Sequence, residues 1–384
     1  MNSIGKRLTY LLIVAVAFTC FSGINITGAE QQGSLPSVFK QVDLGDTGLA
    51  GSAGYKDGVF TINGSGEDIF GYRDTAHFVY KEITGDFEAV VRVLDITNVH
   101  FQAKAGLMVR ASLESKSEVV HLGTRAKDSN YEGEPECKSE FIWRTSKKNS
   151  KGVLQIKASN IVEPEGADPE ELRPPVWLKV VRKGNKFSGY KSSNGKEWVF
   201  ITEQEVNMPV KAYVGLDVCA HDKTKICTAK FEGFAIKQGV KVKIPSYATR
   251  INKTPVDNTK SKYLFIVYND ATYIPLTNNY CQVLGILKKG DIKTGISISL
   301  DKNAKKTDVK TELSGKYSVK EEYTAYTLAV PIDINTKRFD NVAVANPVLI
   351  FNNIIYFPMT QKFAGNEFNC KISMDKKTGF SIEK

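Results

Sequence analysis

Between residues 42 and 236, apolar and polar positions alternate in short runs separated by Gly, Asn, Asp and Ser. Successive side chains of a strand point to opposite faces, so the period-two run Phe87-Glu-Ala-Val-Val-Arg-Val-Leu predicts a strand with one buried face. The runs His77-Phe-Val-Tyr, 105–109 and 119–124 read the same way, and Lys104-Ala-Gly-Leu-Met-Val-Arg-Ala-Ser-Leu stands among them as the expected central strand. Residues 176–193 predict a hairpin with Gly184-Asn185 at its turn, because both residue types tolerate positive φ; Asn194-Gly195 is a second turn. A last hairpin is expected from 212–220 with 228–236. No amphipathic helical period is present, and the pattern is that of an all-β sandwich.

Beyond Gly239 the chain becomes lysine-rich and repeats itself. Asn252, Asp257-Asn258, Asn269, Tyr273, Pro275 and Thr277 recur as Asn335, Asp340-Asn341, Asn352, Tyr356, Pro358 and Thr360, always 83 positions on. Gly295 recurs as Gly379 after one extra residue. A constant offset over this many identities marks a duplicated unit, about residues 240–300 and 328–384, inside a β-rich region spanning 240–384. Each copy holds an apolar run followed by Tyr-x-Pro-x-Thr, where the proline should end a strand. A polar spacer, 301–322, lies between them.

The first residues belong to neither region. Lys6 and Arg7 precede an apolar run, 8–21, and small polar residues leading to Thr27-Gly-Ala29: a secretory signal peptide over 1–29. The run is too short to span a bilayer, and Cys20 lacks a lipobox context, so no membrane span is expected after cleavage. The chain holds 52 Lys and Arg against 42 Asp and Glu; losing Lys6 and Arg7 leaves 50 against 42, a net +8. On an exported protein such charge favours an anionic wall or a polyanionic glycan. The lysines are scattered and no nucleic-acid motif accompanies them, which argues against a nucleic-acid partner. Five cysteines remain, an odd and sparse set. Cys219 and Cys227 could bridge across the last hairpin or stay separate thiols.

Several motifs in fixed order resemble one family. Asp68-Ile-Phe-Gly, His77-Phe-Val-Tyr, Gly85-Asp86, Lys104-Ala-Gly-Leu-Met-Val-Arg110, Trp177-Leu-Lys-Val-Val-Arg182-Lys-Gly-Asn185 and Tyr213-Val-Gly-Leu216 are similar to the DUF1349 family of concanavalin A-like jelly rolls. The resemblance covers nearly all of 42–236, within a sandwich domain expected over 42–237, and implies two packed antiparallel sheets in a secreted, glycan-binding setting. This copy has Phe70 where tryptophan is common and an acidic insertion at 127–140. Tyr268-Asn-Asp-Ala-Thr-Tyr-Ile-Pro-Leu-Thr277 and its second copy resemble the stalk repeats of Gram-positive surface proteins named after the N-terminal domain of copper amine oxidase. That likeness implies a spacer or docking module.

Catalytic signals are weak. No Glu-x-Asp-x-Glu strand, paired-histidine spacing or nucleophile motif is present. Glu67 and Asp68, in a glycine-flanked turn, are weak calcium candidates; no other cofactor is expected. A pyranose presents an apolar face and a ring of hydroxyls, so a sugar site needs aromatic platforms beside hydrogen-bonding groups. Tyr72, His77, Arg110, His121, Trp143 and Arg144 are the candidates, while Trp177 and Trp198 read as core. The sequence thus points to an exported, non-enzymatic module that binds a polysaccharide or cell-wall glycan through its sandwich. A carbohydrate-active enzyme or accessory subunit, and a purely structural surface protein, are the alternatives.

Overall fold

The computed structural model describes residues 33–135, 139–151, 154–162, 173–304, 307–375 and 377–384. The signal segment and Cys137 lie outside the described residues.

Two antiparallel sheets face each other in the first half. One has seven strands in the order Lys40–Leu44, Ala76–Thr84, Lys211–Cys219, Lys104–Arg110, Val119–Arg125, Ser139–Arg144 and Asn160–Val162. Lys104–Arg110 is its middle strand and is buried along its whole length, as is Val119–Arg125. The facing sheet runs Val199–Glu205, Lys186–Ser192, Val176–Lys183, Phe87–Ile96, Cys227–Lys243, Val59–Gly64 and Ser52–Lys56. Its strands Phe87–Ile96 and Val176–Lys183 alternate buried and half-buried residues, so their period-two pattern is a true record of one covered face. Phe60, Val91, Leu107, Leu122, Phe141, Phe187 and Leu216 fill the space between the sheets. The all-β class and the sandwich expected from the pattern are both present.

The expected last hairpin is not. Lys211–Cys219 belongs to the seven-stranded sheet and Cys227–Lys243 to the facing one, so the loop between them crosses from sheet to sheet. This removes the possible Cys219–Cys227 bridge. Cys219 packs with Leu44, Phe78 and Met108 on the outer face of its sheet, whereas Cys227 lies in the core between the sheets. Both are buried free thiols, and burial pushes the Cys227 thiol up to about 12.

Cys227–Lys243 is 17 residues long and serves both halves of the molecule. Its end pairs with Glu322–Thr327 on one side and, through Lys243 and Val267, with Ile266–Tyr268 on the other. Ile266–Tyr268, Ala271–Pro275, Ile354–Pro358, Leu349–Phe351 and Glu322–Thr327 then follow edge to edge, closing a ring of six strands. Val240, Ile266, Tyr273, Ala325, Leu349 and Tyr356, one from each strand, pack inside it.

The ring explains the repeat. Ile274 pairs with Phe357, and Lys241 with Thr324, each partner 83 positions on, so both pairs sit on a local two-fold axis. Glu322–Thr327 therefore holds in the second copy the place that 239–244 holds in the first. The copies also exchange arms. Thr249–Ile251 of the first lies parallel to Gly379–Glu383 of the second, and Ile332–Ile334 of the second parallel to Gly295–Leu300 of the first. The recurring asparagines serve backbone geometry: Asn252, Asn335, Asn269 and Asn352 all begin hairpin turns at φ of 44–49°, a left-handed conformation that asparagine adopts more readily than most residues.

Candidate functional site

Alternation along the seven-stranded sheet sends Ala105, Leu107 and Val109 into the core and Lys104, Met108 and Arg110 to the outer face. The same parity puts His121, Arg125, Glu140, Arg144 and Asp217 on that outer face. These charged groups are all buried, and buried charges are tolerated where each finds a partner. Arg110 and Arg144 both donate to the carboxylate of Asp74, which is itself fully buried. Arg110 also donates to the carbonyls of Ser112 (3.1 Å) and Glu114 (2.6 Å), and Arg144 to those of Ser117 (2.9 Å) and Ser115 (3.2 Å). Lys104 Nζ lies 2.9 Å from both Asp68 and Glu140, and Arg125 donates to Glu140 at 2.9 Å. His121 Nε2 is 3.2 Å from Asp217 in the same buried layer.

This layer roots a small flap. Ile69–Phe70 pairs with Arg73–Asp74 around Gly71, whose φ is +64°. Thr75 Oγ1 accepts from the backbone N–H groups of Glu67 (2.6 Å) and Asp68 (3.1 Å), closing the base of the flap. Asp74 fixes one end and Asp68 the other, so Phe70 and Tyr72 are held out in water, 40% and 63% exposed. Beside the flap lies a cleft of about 570 Å³, lined by Glu67, Asp68, Phe70, Tyr72, Arg73 and Thr75 of the flap and its base and by Lys116 and His221 from neighbouring loops. Burial alone would raise the Asp68 carboxyl, but His221, 3.6 Å away, and Lys104 outweigh it and hold it well below the usual carboxylate range.

Of the six residues singled out from sequence, Tyr72 lines the cleft. Arg110 and Arg144 lie beneath it with their guanidinium groups engaged by Asp74 and backbone carbonyls. His121 is enclosed in the sheet face. His77 is buried between Asp43 (2.7 Å) and Gln41 (3.0 Å) on the far side of Ala76. Trp143 points the other way and packs half-buried against the core between the sheets. Glu67 and Asp68 are engaged by basic side chains: Arg73 lies 3.4 Å from Glu67, and Lys104 and the His221 ring flank Asp68. Among the described residues no group of three or more His, Cys, Asp or Glu could hold a metal ion.

Trp177 and Trp198 are not core residues. Both lie half-buried on the outer side of the second sheet, Trp177 against Gly195 and Gly233 and Trp198 beneath the Lys179 ammonium at 4.2 Å. Sequence reasoning passed over Phe70, Arg73, Thr75, Lys116 and His221 as site residues. The available signal was the glycine-flanked stretch 64–73, which sets two aromatics beside charged residues in a turn, where no core is available to bury them.

No family model matches the chain, and no curated protein matches it. Among solved structures it is similar to a functionally unknown protein from Saccharomyces cerevisiae, with 16% identity over 53% of this chain and 97% of that one and a TM-score of 0.37. It is also similar to a legume lectin-like domain from Entamoeba histolytica, with 8% identity over 50% and 88% and a TM-score of 0.32. A third is the exoplasmic/lumenal domain of VIP36 in a Ca2+/Man-bound form, with 13% identity over 51% and 83% and a TM-score of 0.30. Among the described residues no helix is long and apolar enough to cross a membrane.

Proposed function

We propose that this is an exported module that binds a polysaccharide through the cleft at the flap, with Tyr72 and Phe70 as stacking platforms. The observation that carries the reading is the pair of exposed aromatic rings on a flap rooted in buried ion pairs. Large apolar side chains in water are uninformative singly, but two rings beside a polar cleft form the surface a pyranose needs. Asp68, Lys116 and His221 supply hydrogen-bonding groups around them. Arg110, Arg144 and Asp74 act as positioning residues, since ordering the flap beforehand lowers the entropy lost on binding. The duplicated ring carries the sandwich as a spacer or docking unit.

The test is retention of the full chain on a panel of plant and bacterial wall polysaccharides, with reducing-sugar release followed in the same wells. Retention without release, lost in Tyr72→Ala, is expected. Release of sugar would make the protein an enzyme, and retention unchanged in Tyr72→Ala would remove the cleft from consideration. A structural role is the second reading, because the outer face of the seven-stranded sheet is filled by its own side chains; absence of retention on every polymer would favour it.

A further inference from the structure

Resting on that reading, the charge balance of the cleft names the class of polymer. Each carboxylate at the cleft already faces a cation: Glu67 faces Arg73 at 3.4 Å, with Lys223 at 3.9 Å shared with Asp46 (3.0 Å), and Asp68 faces Lys104 at 2.9 Å. Behind them Glu140 is shared by Lys104 and Arg125. Lys116 lines the same cleft, is exposed, and has no carboxylate within ion-pairing distance among the described residues. The Arg73–Glu67 pair is a single long contact between side chains that are each about 60% exposed (63% and 59%). Such a pair contributes little and its guanidinium is free to turn to another carboxylate, for which its planar fork is suited. A ring-stacking cleft therefore carries one uncompensated ammonium and one loosely held guanidinium at its mouth.

We infer that the ligand is a uronate-bearing polysaccharide, its sugar ring lying against Tyr72 and its carboxylate between Lys116 and Arg73. A neutral glycan would satisfy the rings and leave both cations in water. A uronate engages all of them, and the chain's net positive charge favours its approach.

The experiment measures equilibrium binding of the full chain to polygalacturonate, alginate and hyaluronan, each beside its carboxyl-reduced counterpart, with dextran sulfate as a second kind of polyanion. At least one polyuronate should bind about tenfold or more tighter than its reduced form, the scale of one charge-assisted contact. Lys116→Gln should erase most of that difference, and Tyr72→Ala should weaken binding of both forms. Equal binding of the charged and reduced polymers, still sensitive to Tyr72→Ala, overturns the uronate inference while leaving the cleft as a glycan site. Loss of every interaction with both forms overturns both readings. Binding to dextran sulfate and polyuronates alike, indifferent to Tyr72→Ala, shows simple ion exchange and also overturns the inference.

Discussion

The outer face of the seven-stranded sheet buries Lys104, Arg110, Arg125, Glu140, Arg144 and Asp217, while the six-stranded ring is filled by Val240, Val242, Tyr273, Leu349, Phe351 and Tyr356. Among the described residues beyond 240 no charged side chain is fully buried. Apolar burial stabilises without regard to direction, whereas a buried ion pair repays its desolvation only through well-aimed partners. The ring needs cohesion alone, and a duplicated apolar lining supplies it. The sandwich must also hold a flap at a set height, and the directional Arg110–Asp74–Arg144 clamp does so.

Breaking the clamp should produce the largest change. Asp74→Ala leaves two guanidinium groups buried without a carboxylate, and a loss of about 3–5 kcal/mol in denaturant unfolding is expected. A loss below about 1 kcal/mol would mean that the layer is not a directional anchor. In the ring, Ile274→Ala removes a fully buried side chain on the two-fold axis. About 3 kcal/mol should be lost, and because the copies exchange arms, the ring should still unfold in one transition; two separable transitions would show independent copies.

The two copies sharpen the comparison through one aspartate each. Asp257 accepts from the N–H and hydroxyl of Thr259, which holds its carboxyl below its usual value; Asp340 makes the same turn with the N–H of Val342 but is half-buried against the sandwich, where Tyr55 donates to it at 2.6 Å. Burial pushes the Asp340 carboxyl up, only partly offset by the Tyr55 bond. A raised folded value gives stability present below the unfolded pKa and lost as pH rises through the folded one; a lowered value does the reverse. Asp340→Asn should therefore reduce the loss of stability between acid and neutral pH, whereas Asp257→Asn should weaken the fall on acidification. Melting temperatures across that range decide it, and equal pH slopes would erase the distinction. Tyr55→Phe, which removes the hydrogen bond alone, should lower stability by about 1 kcal/mol.

The smallest change in stability belongs to Tyr72→Ala, within about 0.5 kcal/mol, since the ring stands in water. Its effect should fall on glycan retention instead. A large loss of stability would make Tyr72 a structural residue.

Local pattern determined a good deal. Period-two alternation marked Phe87–Ile96 and the Val176–Lys183 hairpin because one face of each is covered, and the 83-residue offset located the asparagine turns because left-handed backbone restricts residue choice at each copy. It also drew attention to Tyr72 and Arg110, but not to what separates them: one is exposed and the other is wholly enclosed. That distinction depends on Asp74 arriving from another segment to meet Arg110, and partners distant in sequence leave no periodic trace. The same holds for Cys219 and Cys227, eight positions apart yet on different sheets, and for the parallel exchange of arms between the two copies. Residue spacing records which way a side chain leaves its own strand; only the packing of strands decides what it meets there, and with that, whether a charge braces the fold or stands in water.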